Sequence, residues 1–192
     1  DFPTITKLSK ADLRPEIADQ DLATRNLTAH TLSLLTETEL INEASRLIFK
    51  FNLNIYDLPE IFNLNYGALR FIELLAESPV SRAFITEHGC DTVIPYPFSL
   101  YPAILPVGDL NPRRIQLKDH DEYNIRFDHL EQVAETLKFK VRRFHLMDIL
   151  KVRFDDEINY LLTSQRPINE EQEILLEFYE HVAEYQGILI ER

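Results

Sequence analysis

The sequence is poor in the residues that build tight turns, disulfides and metal clusters. It contains four glycines, one cysteine and no tryptophan in 192 residues. Because tight β-turns and phosphate-binding loops depend on glycine, its scarcity argues against a β-rich fold and against a glycine-rich phosphate loop. The one cysteine, Cys90, excludes an intramolecular disulfide and the zinc motifs that need paired cysteines. We therefore expect the protein to reside in a reducing compartment inside the cell, most simply the cytoplasm.

Basic residues are also in short supply. The chain has 20 lysines and arginines against 32 aspartates and glutamates, which gives a formal net charge of −12. Such a charge repels a nucleic-acid backbone and an anionic membrane surface. The longest uncharged run, from Thr92 to Gly108, contains four prolines and falls short of the roughly 20 apolar residues that a spanning helix needs. We therefore expect no membrane partner, and nucleic acid is a disfavoured one.

What the sequence does contain is enough apolar material for one core. Hydrophobic residues make up 45% of the chain and charged residues 27%, as in a typical globular domain. We expect a single helical domain over residues 1–192. Its fold class is mainly α, a compact bundle of about six or seven helices with one short strand pair at most. Within it we distinguish an N-terminal helical half (1–90), an extended proline-rich segment (91–126) and a C-terminal helical half (127–192).

Local start signals predict the first two helices. Thr36 and Glu39 form a capping box, after which apolar residues recur at helical spacing as far as Phe51. Asp57 and Glu60 repeat the same kind of start signal, with a proline in the first turn, and predict a second helix after them. The first of these helices has the clearest apolar stripe.

The remaining helices follow from stop signals and periodicity. Ser78-Pro79 ends the second helix, and a third, short helix is predicted from Val80 to a last turn at His88. In the C-terminal half we predict a helix over 127–137, a strand-like piece followed by a helix over 138–153, a helix from Phe154 to Leu162, and a final helix that begins after Asn169.

The proline-rich segment is too apolar for a solvated linker. Tyr96, Phe98 and Tyr101 within it combine large apolar bodies with polar tips, as interface hot spots do, and the neighbouring prolines reduce the ordering cost of an extended strip. These three residues are therefore candidate partner-binding residues. There are two alternatives to a docking surface. The segment could pack on the helices of its own domain as part of the core, or it could form a lid over an active site.

A second candidate surface is basic. From Arg113 to Arg153 there are ten basic and seven acidic residues, a local charge of +3, whereas the rest of the chain has ten basic and 25 acidic residues. The molecule is therefore electrically polarised. Within this region basic and aromatic residues interleave over 138–144, as on surfaces that bind acidic proteins or nucleic acid. The partner-binding residues that we assign to it are Lys138, Lys140, Arg142 and Arg143.

Two pairs of residues offer catalytic alternatives. His120 and Asp121 form the dipeptide that metal-dependent phosphohydrolases of the HD type display, and His88 upstream is a formal further ligand. Arg82 and His88 have a spacing that resembles the catalytic motif of helical HEPN-type ribonucleases. Each resemblance rests on two residues. Together they define the alternative function, a small helical metal-dependent hydrolase or ribonuclease.

The function that the sequence favours is a protein-interaction module, a regulatory or adaptor subunit without catalytic activity of its own. We accordingly expect a protein partner, no cofactor and no metal, and we assign no catalytic residue. A nucleic-acid-associated factor that uses the 138–144 patch is the second alternative. The preference rests mainly on the absence of established catalytic fingerprints.

Overall fold

The computed structural model describes residues 6–17, 36–92, 110–116 and 121–192. Six α-helices and seven strands lie within these ranges. The strands are β1 (Thr6–Ser9), β2 (Ile61–Leu64), β3 (Arg82–His88), β4 (Arg114–Gln116), β5 (Asp121–Tyr123), β6 (Lys140–His145) and β7 (Tyr185–Glu191). The helices are α1 (Glu37–Lys50), α2 (Tyr66–Glu77), α3 (Phe127–Thr136), α4 (Leu146–Leu150), α5 (Asp156–Ser164) and α6 (Glu170–Val182).

The fold is mixed α/β, so the predicted mainly α bundle is wrong. Strands β3, β7 and β6 form an antiparallel sheet in that order, and β1 pairs with β2 and β4 with β5, also antiparallel. The scarcity of glycine misled the prediction. Within the described residues the left-handed backbone positions are taken by Asn52, Lys138, Lys151 and Gln165, and no glycine has a positive φ. The strands of the main sheet are joined through helices, so they need no glycine-rich hairpins.

The first predicted helix is confirmed, and its capping box forms. The Thr36 hydroxyl accepts a hydrogen bond from the backbone N–H of Glu39, whose carboxylate accepts in return from the N–H of Thr36 at 2.9 Å. These two bonds satisfy amides that have no partner within a helix. The helix therefore begins where its local sequence indicates.

The start predicted at Asp57 and Glu60 is wrong, because a strand comes first. Phe62 and Leu64 alternate with more exposed neighbours, are buried, and belong to β2, which pairs with β1. Helix α2 begins only at Tyr66 and ends at Glu77, just before Ser78-Pro79 as predicted. The capping signal was outweighed by the pairing of β2 with a strand more than 50 residues away.

The third predicted helix is also wrong, since Arg82–His88 is strand β3. Exposed and less exposed residues alternate along it, which is the period of a strand with one face turned to the core. In the C-terminal half, the helix over 127–137 and the strand followed by a helix over 138–153 are confirmed as α3, β6 and α4. Asn169 caps α6 as expected, whereas the last strand, β7, was not predicted.

Two groups of buried side chains hold the described part of the chain together. The larger one lies between α1, α2 and α3 and the inner face of the main sheet, where Ile188 and Ile190 of β7 are buried. The smaller one is formed by α4, α5 and α6 and includes Met147 and Leu162. Within the described ranges, none of the helices is both apolar and long enough to cross a lipid bilayer.

Candidate partner-binding face

Among the described residues, the side chains on the outer face of the main sheet belong to neither of the two buried groups. Side chains alternate between the faces of a strand, and the register of β3, β7 and β6 aligns their outward residues in rows across the sheet. The rows are Arg82, Glu191 and Lys140; Phe84, Leu189 and Arg142; and Thr86, Gly187 and Phe144. We call these nine residues the outer sheet face.

Two stacked phenylalanines form the apolar part of the outer sheet face. The rings of Phe84 and Phe144 lie 5.1 Å apart between centroids at an interplanar angle of 13°. Gly187 lies between their strands, and a Cβ there would come within 2.2 Å of the Phe144 ring. Glycine therefore makes room for the stack. Phe84 nevertheless remains 57% exposed, which is unusual for a large aromatic residue in a sheet.

The charged part of the face surrounds a shallow depression. It has a volume of about 370 Å³ and is lined by residues of all three strands, including Lys140, Arg142 and Leu189. Arg82 forms an ion pair with Glu191 across the sheet at 2.5 Å. Among the residues that the structure describes, Lys140 and Arg142 have no acidic partner. The face therefore presents two uncompensated cations beside an apolar stack in a protein of net charge −12.

Asp91 is the centre of a cluster of polar contacts on the inner side of the sheet, towards the end at which β3 ends and β7 begins. Its carboxylate accepts hydrogen bonds from the backbone N–H groups of Phe127 and Asp128 at the start of α3, and from Arg143 and Gln186. All four donor–acceptor distances are 2.9–3.0 Å. The guanidinium of Arg143 is thus engaged inside the fold.

The structure separates the four predicted basic binding residues. Lys140 and Arg142 are exposed on the outer sheet face, whereas Arg143 points to the opposite side and contacts Asp91. Lys138 is exposed in the left-handed turn between α3 and β6. Because successive strand residues alternate between faces, a continuous basic run cannot act as one patch. The other predicted binding residues, Tyr96, Phe98 and Tyr101, lie outside the described residues.

Sequence reasoning missed the aromatic half of this face. Phe84 was placed in a helix, and Leu189 was not predicted to lie in a strand. The available signal was the spacing of two between Ala83 and Ile85, whose side chains both pack against the main core, but the apolar Phe84 between them hides the alternation. That signal spans only a few residues and is easily read as helical.

The structure does not bring Arg82 and His88, the residues of the ribonuclease alternative, together in one site. Arg82 and His88 lie at opposite ends of β3, about 20 Å apart at about 3.3 Å per residue, so they do not face one reacting group. His120 lies outside the described residues. Glu87, His88 and Glu122 are the ligand-type side chains that do converge in the described ranges, with donor atoms within 4.8 Å of one another.

Two further histidines have structural roles. The Nε2 atoms of His129 and His145 lie 2.8 Å and 2.7 Å from the carbonyl oxygens of Asn54 and Ala183. Burial lowers the pKa of both side chains below the ordinary histidine value, and Arg126 adds to the effect at His129. Each neutral ring therefore donates one hydrogen bond that ties two segments together.

The comparisons with known proteins name no relative of this chain. No protein-family model matches it, and neither a curated protein nor a solved structure does. The outer sheet face and the Glu87, His88 and Glu122 cluster are therefore interpreted from their own geometry.

Proposed function

We propose that this protein is an interaction module that binds an acidic segment of a partner protein on its outer sheet face. The observation that carries this proposal is the exposed Phe84–Phe144 stack beside Lys140 and Arg142, which have no acidic partner in the described residues. A segment that alternates carboxylates with apolar side chains is complementary to both parts. Aromatic and arginine side chains are the types enriched among interface hot spots.

Three features favour a peptide over a nucleic acid. The two phenylalanine rings stack on each other, so part of each ring face is unavailable to a base. The ion pair between Arg82 and Glu191 removes one of the three cations of the face. The net charge of −12 repels a phosphate backbone beyond the immediate contact.

The test is fluorescence anisotropy with two labelled peptides, one alternating glutamate with leucine or phenylalanine and one with lysine in place of glutamate. We expect saturable binding of the acidic peptide and none of the lysine peptide. Phe84→Ser should weaken binding about 30-fold, because truncation of an aromatic hot spot costs about 2 kcal/mol or more. Arg142→Glu should weaken it comparably and reduce its dependence on salt.

The matched control is Lys7→Glu, which makes a similar charge reversal on β1, outside the main sheet. It should leave the affinity within about twofold, since exposed charges more than a Debye length of about 8–10 Å away are screened. Equal losses in Lys7→Glu and Arg142→Glu would contradict a defined docking face. Tighter binding of a single-stranded oligonucleotide than of the acidic peptide would show that nucleic acid is the partner.

We assign this interaction to the cytoplasm. Cys90 is fully buried, and burial, followed by the charge of Asp91, raises the pKa of its thiol, so the residue behaves as a small core side chain. A chain with one buried thiol is suited to a reducing compartment. Fluorescence microscopy of the tagged chain in its native cells tests the assignment, and a secreted or luminal signal would overturn it.

A further inference from the structure

A cluster of metal-type ligands lies at the far end of β3, away from the Phe84–Phe144 stack. The carboxylate of Glu87 turns back to accept a hydrogen bond at 2.9 Å from the backbone N–H of His88. The imidazole Nε2 of His88 lies 3.5 Å from a carboxylate oxygen of Glu122, which belongs to β5. Three potential ligands from two strands therefore converge within 4.8 Å.

The surroundings of His88 are those of a fixed and incompletely satisfied imidazole. The residue is 8% exposed, and its ring packs against Tyr185, 4.0 Å away between ring centroids. Its buried Nδ1 atom has no hydrogen-bond partner among the described residues, although a carboxylate oxygen of Glu184 lies 3.5 Å away. Buried polar atoms are normally paired, and Nδ1 of His88 departs from this rule.

The distance between His88 Nε2 and Glu122 suits two ligands of one ion better than a hydrogen bond. A hydrogen bond between nitrogen and oxygen has a length of about 2.7–3.2 Å. Two ligand atoms bound to zinc at about 2.0–2.2 Å with tetrahedral angles lie roughly 3.4 Å from each other. The separation of 3.5 Å between His88 Nε2 and Glu122 matches the second geometry.

The electrostatics of the cluster also favour a cation. Within the described ranges, neither Glu87 nor Glu184 pairs with a lysine or an arginine. Glu87, Glu122 and Glu184 therefore place three carboxylates around the imidazole of His88. A divalent cation would neutralise the negative potential that these carboxylates create.

We propose that Glu87, His88 and Glu122 bind a divalent transition-metal cation, with Glu184 orienting the imidazole. One imidazole nitrogen with two carboxylate oxygens suits zinc or a similar ion better than calcium or magnesium, which prefer oxygen ligands alone. Metal-bound histidines usually donate their other ring N–H to a carboxylate. A carboxylate oxygen of Glu184 lies 3.5 Å from Nδ1 and would accept that hydrogen bond after an approach of about 0.3 Å or more. The ion would link the end of β3 to β5.

The test is isothermal titration calorimetry of the full chain with Zn²⁺, with Ca²⁺ as the comparison cation. We expect one Zn²⁺ per chain at a site that Ca²⁺ does not fill. His88→Gln and Glu122→Gln should each weaken Zn²⁺ binding at least about 100-fold, as loss of a direct ligand requires. Glu184→Gln should weaken it about 10-fold, the lower end of the range for a residue that orients a ligand.

The matched control is Glu77→Gln, an exposed glutamate at the end of α2 beside the opposite end of β3. It should leave the affinity for Zn²⁺ within about twofold of the wild-type value.

Circular dichroism of every variant separates loss of the site from loss of the fold. If His88→Gln unfolds, Glu122→Gln still tests the site. Zn²⁺ binding unchanged by His88→Gln, or equal affinity for Ca²⁺, would overturn the proposal and leave His88 as a histidine that pairs with the two glutamates. Neither result bears on the outer sheet face, since the peptide experiment needs no metal.

Discussion

Glu73 is a buried carboxylate held by three cationic side chains. It is buried on α2, and its carboxylate accepts hydrogen bonds from Arg46 at 2.6 and 2.8 Å, from Arg70 at 2.6 Å and from Lys50 at 2.9 Å. Burial alone would raise the pKa of Glu73, but the three cations outweigh it and lower the pKa to about 2. The carboxylate therefore stays ionised in the fold and joins α1 to α2.

We predict that Glu73→Gln lowers the free energy of unfolding by about 3 kcal/mol, because it leaves buried Arg70 without its counter-charge and buried Arg46 with Glu43 alone. Urea denaturation at pH 7 measures the change. Exposed Glu77 on the same helix offers the matched control, and Glu77→Gln should change stability by less than about 0.5 kcal/mol. Similar losses in the two variants would contradict a special role for Glu73.

The same carboxylate shapes the acid side of the stability profile. Its pKa is lower in the folded than in the unfolded state, so its stabilisation is present above the ordinary value of 4.5 and is lost as pH falls towards about 2. Denaturation measured across this range should therefore show a smaller acid-induced loss in Glu73→Gln than in the wild type. An identical pH profile in both would contradict the shifted pKa.

At the scale of elements, α3 is positioned by a side chain remote in sequence. Asp91 accepts from the first two backbone N–H groups of α3, and the same carboxylate accepts from Arg143 of β6 and Gln186 of β7. One residue thus caps a helix and fastens it to two strands. Asp155, by contrast, caps α5 with a single local bond, from the N–H of Ile158.

We predict that Asp91→Ala costs about 3 kcal/mol of stability, because a buried cap and two side-chain hydrogen bonds are lost together. Asp155→Ala is the matched control, and it should cost about 1 kcal/mol, the usual value for an N-cap. Thermal or urea unfolding of both variants provides the comparison. Equal costs would show that the bonds of Asp91 to β6 and β7 add nothing to its role as a cap.

Elements with local signals could be predicted, and elements that depend on remote partners could not. The capping box of Thr36 and the cap of Asn169 lie within a few residues of the helices they start, and both predictions are confirmed. Strand β2 follows the start signal of Asp57 and Glu60, and strand β3 lies within the predicted helix from Val80 to His88, yet neither segment is helical. Their pairing with β1 and β7 decided their conformation, since tertiary contacts outweigh propensities of a few tenths of a kcal/mol per residue.

At the scale of the whole molecule, the two buried groups differ in size and connectivity. The larger includes residues from β1 to β7, whereas the smaller is confined to α4, α5, α6 and the turn after them. A small group of local contacts opens at lower cost than a large group that joins distant parts of the chain.

We therefore predict that the amides of α6 exchange with solvent through a local opening, at least about tenfold faster than those of β7. Strand β7 is the appropriate internal standard because it is the central strand of the main sheet. Hydrogen exchange followed by mass spectrometry of peptides that cover Glu170–Val182 and Tyr185–Glu191 measures both. Equal protection of the two elements would show that the buried groups unfold as one unit.

The candidate site shows the same division between local and remote information. Lys140 and Arg142 were predicted as binding residues from the interleaved basic sequence, and that role stays a prediction. Phe84 could not be associated with them, because it is more than 50 residues away and reaches their surface only once β3 and β6 both pair with β7. The cluster around His88 likewise draws on β3, β5 and the turn before β7.

The sequence by itself determined the acidic charge, the lack of a disulfide within the chain, and the helices whose caps lie beside them. Each of these follows from composition or from residues a few positions apart. Only the tertiary structure decided that Arg82–His88 is a strand, that Arg143 faces inward while Arg142 faces outward, and that His88 meets Glu122 and Glu184. The physical reason is that strand pairing joins residues up to 109 positions apart, and the spacing of apolar residues along one strand does not encode its partner.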